Sequence, residues 1–272
     1  MFIAHRNDVD SGEAKPLEQT DNKKFILNDN GQYKIGNNVC PHQASRIICK
    51  KQKELRCQYH GWSWDHQGKC LDSGSAAQQN NSTLQIEDTV IDNNGLLFDQ
   101  QIDLSTIPEV SFKNLVLAQH RVDIVDADPR ITMDIFLDVD HIPHVHEGVY
   151  NLLGIEGPAN VNWDYFDWGN IQKVSDNNSK LIATWVAVYP YTMIEWQAGS
   201  VFITECFGEN KIAVWKYYNK DTSYKSYEQN SKMWETAWSQ DKNQALQMTK
   251  FPNSAFLEEA KKHYRYWLQQ RK

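Results

Sequence analysis

The sequence predicts an α+β protein in two parts, an all-β segment over residues 1–105 and a mixed sheet-and-helix segment over residues 106–272. Three observations predict it. The N-terminal part reads as short apolar runs broken by turn sequences, with no long helical period. Four longer runs rich in β-branched and aromatic residues follow one another between residues 180 and 218. Two stretches with helical periodicity come after them, over residues 227–249 and 255–270.

In the first part, residues 23–28 form a strand, Asp29-Asn30-Gly31 a hairpin turn and residues 32–35 the return strand. Further turns are expected at His66-Gln67-Gly68 and at Asn93-Asn94-Gly95, the latter leading into Leu96-Leu97-Phe98. The polar residues 72–82 read as a surface loop. In the second part, one helical segment covers residues 131–148, and strands are expected at 180–189, 191–196, 200–207 and 211–218. The aromatic group Trp163, Tyr165, Phe166 and Trp168 suits either a pocket entrance or sheet packing.

The bulk properties exclude several classes. A chain of 272 residues with 40% hydrophobic content is long enough for one large or two modest domains with a packed core. Its 35 acidic and 28 basic residues give a net charge of −7, which removes the counterion-release drive of nucleic-acid binding. No apolar run approaches the roughly 18 residues of a membrane span. Residues 1–10 lack the basic start and apolar stretch of a secretory signal, so a reducing, cytoplasmic location is expected. Five unevenly spaced cysteines in such a compartment point to metal before disulfide.

The strongest chemical signal is Cys40-Pro41-His42 followed by Cys57-Gln58-Tyr59-His60-Gly61-Trp62. Each loop offers one thiolate and one imidazole. A mixed-ligand [2Fe–2S] centre needs two Cys on one iron and two His on the other, which two such loops supply. Spacing alone leaves a four-ligand zinc site open.

A second cluster is Asp138-Val139-Asp140-His141-Ile142-Pro143-His144-Val145-His146-Glu147. An oxygen-activating mononuclear iron commonly uses two His and one carboxylate on one face. Asp138 and His141 are three apart and share a helix face, whereas His141 and His146 are five apart and do not. Pro143 disfavours helical geometry at Ile142, and a break there would bring His146 round. His144 is the rival ligand, and a solvated acidic turn the plain alternative. Residues 232–248 on a helix place Trp234, Ala237, Trp238, Asp241, Ala245 and Met248 within an arc of roughly 100°. Asp241 sits near the middle of that apolar stripe, where a carboxylate must bind metal or pair with a buried base.

The sequence resembles the Rieske non-haem iron oxygenases, specifically the oxygenase (alpha) component of the ring-hydroxylating family. The likeness rests on Cys40-Pro41-His42, on Arg56-Cys57-Gln58-Tyr59-His60-Gly61-Trp62-Ser63-Trp64-Asp65 with Gly68, and on Ile135-Phe136-Leu137 with Asp138, His141 and His146. A looser match covers Ser239-Gln240-Asp241 and residues 244–247. The gap between the cluster loops is slightly shorter than in most members, and the extra loop cysteines of respiratory Rieske proteins are missing.

The resemblance implies a Rieske [2Fe–2S] domain over residues 1–105 and a helix-grip (START-like) catalytic domain over 106–272. It implies a cluster on Cys40, His42, Cys57 and His60, and an Fe(2+) on His141, His146 and Asp241. Asp138 then bridges electrons from the cluster of a neighbouring subunit in a homotrimer, its carboxylate accepting from the ring of His141. The expected activity is oxidation of a small organic substrate with O2. No dinucleotide or flavin fingerprint is present, so a separate NAD(P)H-dependent reductase, with or without a ferredoxin, is the expected electron source. Lys50, Lys51 and Lys53 suit either an acidic donor's docking site or a solvated loop.

Overall fold

The computed structural model describes residues 1–74, 82–105, 107, 112, 114–146, 148–149, 160–176, 178–197, 199–248 and 259–271. The chain divides into two compact units, Phe2–Lys113 and Asn114–Lys272, the latter joined by Met1. The division falls later than position 105/106 because Leu104, Ile107 and Phe112 are still buried before the next long strand begins at Leu115.

The N-terminal unit consists of three small antiparallel sheets. Strands β1 (Phe2–His5), β9 (Ile91–Asn93) and β10 (Leu96–Phe98) form one, in the order β1-β10-β9. Strands β2 (Ala14–Pro16), β3 (Lys24–Asp29), β4 (Gln32–Asn37) and β8 (Ile86–Glu87) form the second. The third contains β5 (Leu55–Arg56), β6 (Ser63–Trp64) and β7 (Cys70–Asp72). The β3–β4 hairpin turns at Asn30-Gly31, both at positive φ, as the sequence requires. Residues 75–81, within the expected polar loop, lie outside the described residues.

The second unit is built on one seven-stranded antiparallel sheet, ordered β11-β17-β16-β15-β14-β13-β12. Its strands are β11 (Leu115–Ile124), β12 (Asn160–Phe166), β13 (Gly169–Ser175), β14 (Leu181–Val188), β15 (Thr192–Gln197), β16 (Ser200–Phe207) and β17 (Lys211–Asn219). The first three were not expected from sequence. Trp163, Tyr165 and Phe166 belong to β12, with Trp163 and Tyr165 stacked 6.2 Å apart, so this aromatic group is sheet packing.

Among the described residues, four helices accompany the sheet: α1 (Pro129–Phe136), α2 (Ile142–Val145), α3 (Tyr224–Gln247) and α4 (Glu259–Gln270). On one face of the sheet, Phe202, Cys206, Ile212 and Val214 pack against Ile131 and Ile135 of α1 and Tyr227, Trp234 and Trp238 of α3. Ala183, Trp185, Ala187 and Met193 on the same face pack against Met133 and against Ala260 and Tyr264 of α4. Each buried Leu- to Trp-sized side chain contributes roughly 1.5–3 kcal/mol here, which holds α3 in the sheet's embrace.

The single expected helix over 131–148 is two helices, and the break is not at Pro143. Helix α1 stops at Phe136, and the chain turns through 137–141 before α2 starts. The cause is Asp138, whose Oδ1 accepts from the amides of Asp140 and His141 at 3.0 and 3.2 Å and so competes with helical bonding. Pro143 sits in the first turn of α2, where its missing N–H costs nothing, and opens the second helix.

Two candidate metal centres

The cluster loops repeat one backbone pattern. In the first, the Cys40 amide donates to the Ser45 carbonyl at 2.8 Å and the Ala44 amide to the Cys40 carbonyl at 2.9 Å. In the second, Cys57 donates to Trp62 at 2.7 Å and Gly61 to Cys57 at 3.0 Å. The residue four beyond each cysteine, Ala44 or Gly61, has positive φ, 55° and 77°. The fully buried Asn38 side chain fixes the entry to the first loop. It accepts from the amides of Ile47 and Ile48 and donates to the Ile48 carbonyl. Arg56 braces the second by donating to the Gly61 carbonyl at 2.9 Å.

Both thiols are buried, 3% and 2% exposed, among Phe25, Leu27, Trp62 and Trp64. Both imidazoles are exposed and adjacent, with ring centroids 4.8 Å apart. Trp62 stacks flat on His42 at 4.7 Å and fixes its plane. Burial raises the Cys40 thiol above its ordinary range despite amide donors from His42 and Gln43. At Cys57 burial also raises, but amides of Tyr59 and His60 with the Cys40 and Ser45 side chains outweigh it, and the thiol is held low.

The donor set fits a two-iron cluster: two buried soft thiolates inside, two imidazoles at the rim. It does not fit one tetrahedral zinc, whose ligands would sit within 4 Å or so of one another. Among the described residues, the only group of three or more metal-binding side chains with ligand atoms all within 4.8 Å is the second centre. Of the lysines between the loops, Lys51 is paired with Asp10 and Glu13 at 3.1 and 3.0 Å.

The second centre joins His141, His146 and Asp241. Asp241 comes from α3, where Trp234, Trp238, Asp241 and Ala245 form the buried stripe and place its carboxylate inward. Its Oδ1 lies 3.0 Å from His146 Nε2 and 3.3 Å from His141 Nε2, with an aligned hydrogen bond to neither. The two Nε2 atoms are 3.1 Å apart. His146 Nδ1 donates to Gln240 Oε1 at 2.8 Å, and His141 Nδ1 to the carbonyl of Asp138. These partners fix both protons on Nδ1, so both Nε2 atoms carry lone pairs. Two lone pairs and a carboxylate oxygen converge, a repulsive arrangement that a cation at their common centre relieves. Ligands at about 2.1 Å and right angles from one ion stand roughly 3.0 Å apart, which the three edges match. The same proximity favours a positive charge at this point: against burial, the Asp241 carboxylate and Gln240 raise His146, and the two imidazoles hold the Asp241 carboxyl low.

His144 is exposed and belongs to no such group. The carboxylate of Asp138 stands 4.0 Å from His141 Nδ1, so the ring is held by the Asp138 carbonyl and not by its side chain as expected. The geometric reason is that Oδ1 is engaged by two amides. Oδ2 accepts from Lys261 Nζ at 2.7 Å. One turn away on each helix, Arg265 grips Asp134 at 2.9 and 3.2 Å, so two ion pairs strap α4 to α1 and the turn that follows it.

Both histidines and Asp241 line a pocket of about 670 Å³, its solvent-open mouth included. Phe136, Trp185, Trp234 and Trp238 wall it, and Asp138 and Glu195 also face it. Glu195 was not singled out in the sequence. Burial pushes its carboxyl up to about 7, against the hydrogen bond from Trp234.

Residues 1–86 match the family model of the Rieske [2Fe-2S] domain. No curated protein matches the chain. Among solved structures, the quaternary ammonium Rieske monooxygenase CntA in complex with inhibitor MMV12 is similar, with a TM-score of 0.79 and 14% identity over 99% of this chain and 87% of that one. The same enzyme with L-carnitine gives a TM-score of 0.77, with 14% identity over 99% and 88%. Pseudomonas putida CBB5 NdmA gives 0.58, with 15% identity over 98% and 84%. Residues 1–86 are therefore a Rieske [2Fe–2S] domain, and the chain as a whole has the two-part fold of the Rieske oxygenases.

Proposed function

We propose that this chain is the terminal oxygenase of a Rieske system. It takes electrons from a separate NAD(P)H-dependent reductase, directly or through a ferredoxin, and oxidises a small organic substrate with O2. The observation that carries this reading is the triangle of His141 Nε2, His146 Nε2 and Asp241 Oδ1 opening into an apolar pocket. An Fe(2+) held there would supply oxygen activation, and a cluster on Cys40, His42, Cys57 and His60 would supply single electrons. The protein's own groups do the rest. Gln240 and the Asp138 carbonyl hold the imidazole tautomers. The three tryptophans exclude water from the reacting centre. The exposed His42 and His60 are where electrons would enter or leave the cluster.

Asp138 is proposed as the bridge that carries electrons to His141, with the cluster of a neighbouring subunit in a homotrimer as their source. Lys261 donates to one of its oxygens at 2.7 Å. A cytoplasmic location suits five free cysteines; no helix of the described residues is long and apolar enough to cross a membrane. Carnitine and caffeine, bound in the similar structures, are unlike each other, so neither is carried over to this chain.

The test is iron and inorganic-sulfide analysis of protein purified without oxygen, followed by reductase-coupled O2 uptake. About three irons and two sulfides per chain are expected. Stoichiometric zinc without sulfide, or two irons only, would end the proposal.

A further inference from the structure

Glu195 is the one acidic side chain at the pocket that neither the metal triangle nor a salt bridge explains. Its direction follows from strand register. Trp185, Glu195, Phe202 and Lys216 are successive cross-strand partners on β14, β15, β16 and β17, so their side chains share one face. That face is the one α3 packs on, as the 5.4 Å contact of Phe202 with Trp234 records. The Glu195 carboxyl is thus driven inward to the pocket.

One oxygen accepts from Trp234 Nε1 at 2.8 Å. Among the described residues no cation pairs with the carboxyl, and its other oxygen has no partner. Lys216, on the same face, is two strands away and engaged by Glu235 and Ser231. A carboxylate removed from water without a counter-charge is costly, which is why burial lifts this one to about 7; a cation beside it would hold it ionised. Asp138 cannot, being acidic and already paired with Lys261.

The missing partner belongs to the ligand. Two neutral imidazoles and one carboxylate would leave a divalent ion with net charge +1, which alone would repel a cation, and Glu195 offsets that repulsion while keeping one oxygen free for the ligand. A positively charged ligand then enters a neutral pocket. The walls reinforce this, because Trp185, Trp234, Trp238 and Phe136 exclude water, and attraction between a carboxylate and a cation strengthens in a dry site.

We propose that Glu195 is a specificity-determining residue that selects substrates carrying a positively charged nitrogen, a protonated amine or a quaternary ammonium. This rests on the reading of the pocket as the substrate site of an oxygenase.

The experiment is calorimetric titration of the anaerobic, iron-loaded protein with three small molecules of one shape. These are choline, N,N-dimethylethanolamine and the uncharged 3,3-dimethylbutan-1-ol. At least one cation should bind about tenfold or more tightly than the alcohol, the value of one charged hydrogen bond. Glu195→Gln should abolish that preference and leave the alcohol's affinity within about twofold. Preference for dimethylethanolamine marks donation by its N–H to the free oxygen; preference for choline marks charge alone. Either supports the proposal.

Equal binding of alcohol and cations by the native protein would overturn it. So would absence of cation binding, or a Gln variant that keeps the preference. Glutamine still accepts from Trp234, so the variant should fold; if it does not, the comparison of cation with alcohol in the native protein still decides. Because binding is read without turnover, protein that fails to take up the mononuclear iron would sink the oxygenase reading while the same titration judges Glu195 separately.

Discussion

The two centres differ in how the chain builds them. All four proposed cluster ligands lie within residues 40–60, on two loops that share one hydrogen-bond pattern. The proposed iron ligands come from a short helical turn and from α3, with Asp241 far along the chain from His141 and His146. The cluster site is open at its imidazole rim, whereas His146 and Asp241 are 5% and 8% exposed. A centre that exchanges electrons with other proteins needs an accessible edge and can be made locally. A centre that does chemistry on a substrate needs a dry pocket, and only tertiary packing makes one.

The largest effect is expected from Asp241→Ala. It removes the carboxylate corner of the triangle, so the mononuclear iron should be lost and turnover abolished, while the cluster's visible spectrum and sulfide content stay intact. Metal analysis beside the optical spectrum reads both at once, and loss of the cluster in this variant would break the separation of the two centres.

Next is Asp138→Asn. Asparagine keeps an oxygen for the amides of Asp140 and His141 but surrenders the charge that Lys261 neutralises. Both metals should remain and dithionite should still reduce the cluster, yet cluster reoxidation by O2 with substrate should slow by on the order of a hundredfold. Rapid mixing measures it. Reoxidation at the native rate would exclude the bridging role.

A smaller loss is expected from Gln240→Leu, which deletes the acceptor of His146 Nδ1. Iron affinity should fall by about 10- to 100-fold, measured by chelator competition, with cluster content unchanged. The smallest effect concerns the mismatch between the loops. Ala44 holds φ 55° where its counterpart is Gly61. Ala44→Gly relieves left-handed strain but frees the unfolded chain, so the N-terminal unit should gain less than about 1 kcal/mol in thermal unfolding. A loss of stability would mean that the loops are less alike than their hydrogen bonds suggest.

The same contrast governs what the sequence discloses. Cysteine-histidine pairs beside turn residues carry their geometry with them, and the buried stripe of α3 announces Asp241 because a carboxylate interrupts an apolar arc. Glu195 gives no such sign. In Thr192–Gln197, alternation of Met193, Glu195 and Gln197 with Ile194 and Trp196 reads as a solvent face, whereas that face lines the pocket. Lys261 and Gln240 are similarly silent, since their roles exist only once α4 meets α1 and α3 meets the turn after α1. Strands β11, β12 and β13 escape notice because their polar alternation resembles loop composition until a neighbouring strand supplies the ladder. The helix break at 137–141 is misplaced from sequence because proline draws attention, while the side chain that ends the helix is an aspartate five residues earlier.

The strap between α4 and α1 has a consequence for how the protein is made. As the chain leaves the ribosome, the proposed cluster loops and the core around them, through β8, are complete within the first 87 residues, and N-terminal domains fold first during synthesis. The triangle of His141, His146 and Asp241 cannot close until Asp241 arrives, and α1 and the Asp138 turn are not clamped until Lys261 and Arg265 follow. The first proposed centre can therefore be assembled on a nascent chain, the second only on a nearly finished one.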